Sequence, residues 1–430
     1  MDARSAFLNG SALAPTDLIS LASVYRCRVG CRPVRHLSQK SVHLLPVLIN
    51  LIERPKTSAA SSDAIQEALF PKPFVSTKIA GANEIPAFRN SPSVRMAVGK
   101  LSMFFLLTLV TFVITDNLAD RGLRAIKTSS FGVYNRMING EINAQIIIGG
   151  SSRALNNFDP RIIEADTGMT TFDIGVDGSQ TDMQLAVFKT YLRHNAKPLL
   201  LIQSLDSFAF VMSHGGVDNP AQYVPYLNED AIYQALNAID ANTWKARYLP
   251  LYGYAVDMNF TWFTGVRGLL GWNPKEDHYL GFAPRYAHWT GDFDRFRADR
   301  PAGVRFEVEP EGVRVFDELM NVCKNLGIRV LLVYSPVYYE MQGLENNRED
   351  IFRRFKEIAQ RYDVPLWDYS RSPISFSKDY FVNSQHLNAE GAAAFSAELA
   401  VALHRHLVAE SIKRTGSHIS GSTGVLSTAP

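Results

Sequence analysis

Gln145-Ile-Ile-Ile-Gly-Gly-Ser-Ser-Arg153 decides how the rest of this chain reads. Ile146, Ile147 and Ile148 form a β-branched apolar run, too short for a helix and suited to a strand buried on both faces. Gly149, Gly150, Ser151 and Ser152 follow, the residue types of a sharp turn. A polar side chain at the carboxyl end of a buried parallel strand stands where open α/β sheets place their ligands. Ser152 is therefore a candidate nucleophile. The competing reading is a strand with an ordinary Gly/Ser turn.

Working downstream, the patterns predict strands at Thr171–Val176, Pro198–Leu205, Arg329–Tyr334 and Pro365–Asp368. Helices are predicted at Thr181–His194, Arg314–Asn325, Arg348–Tyr362 and Ala389–His404. Strands alternating with amphipathic helices argue for an α/β domain over residues 143–407, a parallel sheet with helices on both faces. Between Ser207 and Pro310 the rhythm breaks, and the segment carries Trp244, Tyr248, Tyr252, Tyr254, Trp262, Trp272 and Trp289. A loop that long does not stay structureless in a compact domain, so 207–310 is expected to be a folded insertion, placed to cover the site. Its aromatics could stack on sugar faces or form the insertion's own core, the second being the default.

Working upstream, Leu101–Thr115 contains no charged residue, and with Met96–Gly99 it approaches the ~20 apolar residues that span a bilayer. Arg95 and Lys100 precede it, whereas Asp116 and Asp120 follow, which favours an inside N-terminus and the remaining chain outside. Asn117-Leu118-Ala119 fits a cleavage site poorly, so 96–118 reads as an uncleaved signal-anchor rather than a leader or a core helix. That places the protein in a cytoplasmic membrane as a single-pass chain with its domain outside, periplasmic in a Gram-negative bacterium. Leu118–Glu141 reads as a polar juxtamembrane segment. Residues 1–95 show no sustained periodicity and are expected to be disordered, or an extension from a start codon assigned upstream of Met96. Residues 408–430 read as a disordered tail.

Composition excludes several classes. The formal net charge of +2 gives no nucleic-acid surface. Three cysteines, Cys27, Cys31 and Cys323, supply neither a disulfide framework nor a zinc quartet. No metal site or cofactor is implied.

Serine attacks only when a base removes its proton. Of the ten histidines, His36 and His43 precede the anchor, and His404 and His406 lie near the end of a terminal helix, where cations favour the dipole. His386 differs: it stands in Phe381-Val-Asn-Ser-Gln-His-Leu-Asn-Ala-Glu-Gly-Ala392, after the last strand and before the last helix. Asn388 suits the N-cap of that helix.

Gly150-Ser-Ser152 after the first strand, with Asn383-Ser-Gln-His386 before the last helix, resembles the SGNH/GDSL hydrolase superfamily. The closest likeness is to membrane-anchored members tied to acyl modification of cell-envelope polysaccharides. The resemblance implies a three-layer, flavodoxin-like SGNH fold, Ser152 as nucleophile and His386 as base. The N–H groups of Ser152 and Gly178 would form the oxyanion hole, Gly175 being the weaker candidate and a turn with positive φ the plainer role for either glycine. It implies an extracytoplasmic serine esterase or O-acyltransferase whose partners are an acylated polysaccharide or acyl donor, with a membrane-bound acyltransferase as a further partner.

Two departures stand out. Asp206-Ser-Phe208 replaces the family's Gly-x-Asn oxyanion element, and Asn383 occupies the triad aspartate position. An amide orients an imidazole without stabilising its positive charge, so a Ser–His dyad, substitution by Asp379 or Asp368, and a degenerate glycan-binding accessory protein all stay open. A phosphate-binding flavodoxin-like domain is a third reading. Arg153 reads as a surface ion-pair partner or an anionic-sugar ligand, and Tyr334-Ser-Pro-Val-Tyr338 as cleft lining.

Overall fold

The computed structural model describes residues 92–255, 260–275 and 278–421, with side chains through Ser411. Among the described residues, Pro92–Leu106 belongs to one compact unit and Leu107 onward to another. The expectation for residues 1–95, including Cys27 and Cys31, lies outside the described residues except for Pro92–Arg95, which open a helix.

Five strands form one parallel sheet: β1 (Ile146–Gly149), β2 (Thr171–Asp173), β3 (Leu200–Ser204), β4 (Arg329–Tyr334) and β5 (Leu366–Asp368). Their order is β2-β1-β3-β4-β5. Ile146 lies opposite both Thr171 and Leu200, and Leu332 opposite Leu366. This is the doubly wound, flavodoxin-like order, and the chain switches sides at β1, opening a crevice beyond its carboxyl end. The residues after Gly149 enter that crevice.

Before the sheet lie α1 (Pro92–Ala125) and α2 (Ser129–Ile138). Between strands come α3 (Ser152–Asn157), α4 (Pro160–Thr167) and α5 (Thr181–His194). The insertion contributes α6 (Asp230–Ile239), α7 (Thr243–Tyr248), α8 (Tyr252–Ala255), α9 (Thr261–Leu269) and α10 (Asp292–Asp299). The remainder are α11 (Pro310–Leu326), α12 (Tyr339–Leu344), α13 (Arg348–Tyr362) and α14 (Ala389–Gly421). α14 packs on α3 and α4, while α5 packs on α2, α6 and α11. The insertion is folded, with Tyr223, Tyr226, Ile232, Leu236 and Tyr254 buried.

α1 is the only helix among the described residues long and apolar enough to cross a membrane. Its last turns differ from the expected juxtamembrane segment, because Ala119, Leu123 and the following Ile126 are buried in the main core. Asn135 on α2 donates through Nδ2 to the carbonyls of Leu123 (2.9 Å) and Ile126 (2.8 Å), satisfying acceptors a helix end leaves open. Asp116, Asp120, Arg121 and Arg124 made this segment look polar, while its buried stripe is only two side chains wide.

α14 also outruns its expected end, continuing to Gly421 rather than giving way to a tail at 408. No Gly or Pro interrupts it between Gly391 and Gly416. An Arg329–Glu410 ion pair at 2.8 Å joins its later turns to β4. Residues 422–430 lie outside the described residues.

Candidate active site

The turn after β1 sorts the two serines. Gly150 has φ +147°, and a Cβ there would come within 2.8 Å of the Ser204 Cβ and 3.0 Å of the Ala154 Cβ, so a side chain would wedge α3 away from β3. Ser151 is the N-cap of α3: its Oγ accepts from the Arg153 N–H (3.2 Å), and its carbonyl from those of Ala154 and Leu155. Ser152 is the first helical residue, where the N–H has no intrahelical acceptor. Its side chain is buried.

His386 reaches Ser152 from a short hairpin in which Phe381 bridges Leu387 and the Val382 N–H donates to the His386 carbonyl at 3.0 Å. Its Nε2 lies 2.8 Å from Ser152 Oγ. Asn383 Oδ1 accepts from the backbone N–H groups of Gln385 (3.0 Å) and His386 (2.9 Å) and lies 3.1 Å from His386 Nδ1. Two backbone donors converge on that atom, so it is the amide oxygen, and Nδ1 must carry the hydrogen facing it. The Nε2 lone pair is left for the Ser152 hydroxyl. Asn157 Oδ1 accepts from the Leu387 N–H at 3.0 Å and ties the hairpin to α3.

Neither aspartate takes the third position. Asp379 accepts from Ser377 Oγ and Asp368 from the Ser370 N–H, each within its own turn. The three residues brought together are Ser152, His386 and Asn383.

Burial first, then the positive charges of Arg285 and Arg153, push the His386 pKa down to about 3. The imidazole is therefore neutral at physiological pH, a proton acceptor of low basicity.

Arg285 is a residue the sequence reading missed. It donates through Nε to Asn156 Oδ1 at 2.6 Å, and its carbonyl accepts from the Ala389 N–H at the start of α14. Asn156 in turn donates to the Ser152 carbonyl at 2.5 Å. Arg285 belongs to the insertion, and nothing local distinguishes it from the other arginines there. The insertion thus reaches the site through residues 283–285, where the Ala283 N–H also donates to the Leu155 carbonyl.

A cavity of about 480 Å³ adjoins this point, lined by Leu155, Gly175, Asp177, Gln222, Pro284 and Arg285 among others. That is the size of a small-molecule site. None of the seven insertion aromatics lines it. Trp289 instead packs edge-on against Tyr338 and Phe293, and Tyr254 is buried. Those rings therefore do not line this cavity.

Gly175 spends its N–H on Asp173 Oδ1 (2.6 Å), which removes it as an oxyanion donor. Gly178 has φ +63°, and a Cβ there would lie 2.8 Å from the Asp218 Cβ, so a turn requirement accounts for it.

Arg153 is not a surface residue. Only 2% exposed, it donates to the carbonyls of Leu205 (2.8 Å) and Ser335 (2.6 Å) and to Ser335 Oγ (2.9 Å), lies 3.5 Å from Asp206, and covers the Tyr334 ring. Asp206 and Glu345 are both buried, and burial raises both carboxyl pKa values against the opposing pull of the arginines. Glu345 accepts from Ser207 Oγ (2.8 Å) and faces Arg348 at 3.6 Å. Asp206-Ser207, in the place of an oxyanion element, thus belongs to a buried charge cluster beneath α3. Tyr334 and Tyr338 are likewise buried, and of the Tyr334–Tyr338 stretch Tyr334 and Val337 line a gap of only about 10 Å³ beside Arg153 and Gln385.

Asp173 at the end of β2 is buried with no counter-ion among the described residues, and burial raises its pKa to about 8 against the Gly175 N–H bond. Between its ordinary value of 3.8 and about 8, the folded state holds a proton that the unfolded state releases. Its contribution is thus full at low pH and lost as pH rises through 8. Asp173→Asn keeps the acceptor for Gly175 and removes the titration. Melts in detergent should show the variant gaining on the wild type by on the order of 3 kcal/mol between pH 4.5 and 8, or ~6–12 °C. An equal offset at both pH values would contradict this account.

No protein-family model matches the sequence, and no curated protein matches it. Among solved structures, a proposed acylhydrolase from Bacteroides fragilis NCTC 9343 aligns with 60% of this chain and 87% of its own length, at 11% identity and a TM-score of 0.29. A likeness that low carries no argument about activity.

Proposed function

We propose that this protein is a serine esterase or O-acyltransferase in which Ser152 is the nucleophile and His386 the base. The observation that carries the reading is the 2.8 Å approach of His386 Nε2 to Ser152 Oγ, with the tautomer fixed from behind by Asn383. Ser152 Oγ attacks an ester carbonyl carbon while its proton passes to His386 Nε2. The Ser152 N–H, which has no intrahelical acceptor, stabilises the oxyanion. His386 returns the proton to the departing alkoxide, leaving an acyl-Ser152. A water or a sugar hydroxyl then attacks the acyl carbon, gives its proton to His386, and Ser152 leaves with that proton restored. Hydrolysis and transfer share every group and differ only in the acceptor.

The apolar helix α1 supports a membrane setting, and the cavity of about 480 Å³, lined by both polar and apolar side chains, supports an acylated ligand; we extend the reading to an acylated envelope polysaccharide met outside the membrane. Asn383 favours a second reading, a glycan-binding accessory protein without turnover, because an amide leaves the imidazolium without a counter-charge.

Labelling with a fluorophosphonate tests the first reading against the second. The wild type should be labelled and Ser152→Ala should not. A folded wild type that stays unlabelled supports the accessory role, and labelling that survives the substitution removes Ser152 from the chemistry.

A further inference from the structure

α9 lies along the last turns of α1 at backbone contact. A Cβ on Gly265 would collide with Ala119, one on Gly122 with Gly265, and one on Gly268 with Gly122. The pairs advance together, so the helices run in the same direction. Extrapolated at equal rise, the N-terminal end of α9 stands near Asp116. A second attachment sets the same height: the Leu251 N–H donates to Asp116 Oδ1 (2.9 Å) and the Tyr254 O–H to Asp120 Oδ1 (2.5 Å). Just before Asp116, α1 exposes Phe112, Val113 and Ile114, the end of its apolar face.

At this level the insertion exposes large side chains: Trp244 (44%), Tyr248 (65%), Leu249 (44%), Tyr252 (42%), Phe260 (64%) and Phe263 (49%). Two cations sit among them. Lys245 Nζ lies 5.9 Å from the Trp244 ring and 5.8 Å from that of Tyr252, and the Arg247 guanidinium lies 5.5 Å from the Tyr248 ring. Aromatic rings with polar tips, interleaved with cations, are the composition of a membrane–water interface belt.

We propose that this patch rests on the lipid surface beside the point where α1 enters the bilayer, its six apolar side chains among the headgroups and Lys245 and Arg247 against lipid phosphates. The proposal rests on reading α1 as a membrane-spanning helix. Continuity assigns the occupant: the patch begins at the turn where the exposed apolar face of α1 ends. A bilayer that accepts the one extends over the other.

The test uses the full chain reconstituted into phosphatidylcholine vesicles with and without brominated acyl chains, which quench nearby indoles. Subtracting Trp244→Phe from the wild type isolates the emission of Trp244. Subtracting Trp272→Phe isolates an indole beyond the far end of α9, ~10 Å farther along its axis. Brominated lipid should remove about half or more of the Trp244 component and leave the Trp272 component unchanged. Tyr248→Trp in the Trp244→Phe background gives a second reporter and should also be quenched. If α1 resists alkaline extraction from the vesicles yet both reporters stay bright, the patch faces water or a protein partner and the proposal is overturned. A chain that alkali extracts defeats the anchor reading, and the proposal with it.

Discussion

His386→Ala is expected to lower the turnover of an activated ester by ~10³-fold or more, and Asn383→Asp to raise it. The first loss follows from geometry, since no other base lies within hydrogen-bond reach of Ser152 Oγ among the described residues. The gain follows from what Asn383 does and does not supply. Its Oδ1 already collects three N–H groups, so an aspartate fits the same place with every donor kept. The carboxylate adds a negative charge beside an imidazole that burial, Arg285 and Arg153 hold at a pKa of about 3. A base that weak leaves serine largely unactivated. Restoring the counter-charge should increase kcat on the order of 10²-fold, within the ~10⁴ that a triad carboxylate is worth. The pH profile provides a second readout. Activity requires neutral His386, so the acid limb of kcat/KM in the wild type should lie near its depressed pKa, below that of ordinary serine hydrolases. Asn383→Asp should move the limb upward. A variant no faster than the wild type, with its acid limb in place, would sink the assignment of Asn383 as the orienting group.

Arg153→Met should cost about 3–5 kcal/mol of stability, because it strands Asp206 in the interior. The guanidinium holds the ends of β3 and β4 together through Leu205 and Ser335, and its own backbone lies in the first turn of α3. Lysine cannot replace it, since one ammonium cannot address two carbonyls, a hydroxyl and a carboxylate lying in different directions. Arg153→Lys should therefore recover only a minor part of the loss. The double variant Arg153→Met, Asp206→Asn should be more stable than Arg153→Met alone, because the unpaired charge, rather than lost packing, carries most of the cost. Urea denaturation of the wild type and the three variants checks the order. A double variant as unstable as the single one would assign the penalty to packing.

Much of the scaffold was legible because it is written in local periods. Arg329–Tyr334, Thr181–His194 and Arg348–Tyr362 have the predicted bounds, and the other strands are only shortened at their ends. The pairing of Ser152 with His386 was inferable because each stands at a strand–helix junction on the same sheet edge, a placement the topology dictates. What stayed hidden depends on contacts between distant segments. Arg153 looked like a surface residue because its partners Leu205, Asp206 and Ser335 are more than fifty residues away in sequence. Arg285 had no motif, and only the fold brings it to Asn156. The end of α1 read as polar because four charged residues flank a buried stripe too narrow to register as a period.

The separation between Ser152 and His386 also bears on how the protein folds. Their hydrogen bond closes a loop of 234 residues. Contacts of such long range are slow to form, because the chain loses loop entropy before they repay it. The dyad thus forms only after β1 has joined the sheet and the Phe381–Leu387 hairpin has docked on α3. Time-resolved labelling of Ser152 during refolding would then act as a clock for the last step of assembly, reporting docking of the hairpin rather than the earlier appearance of helices.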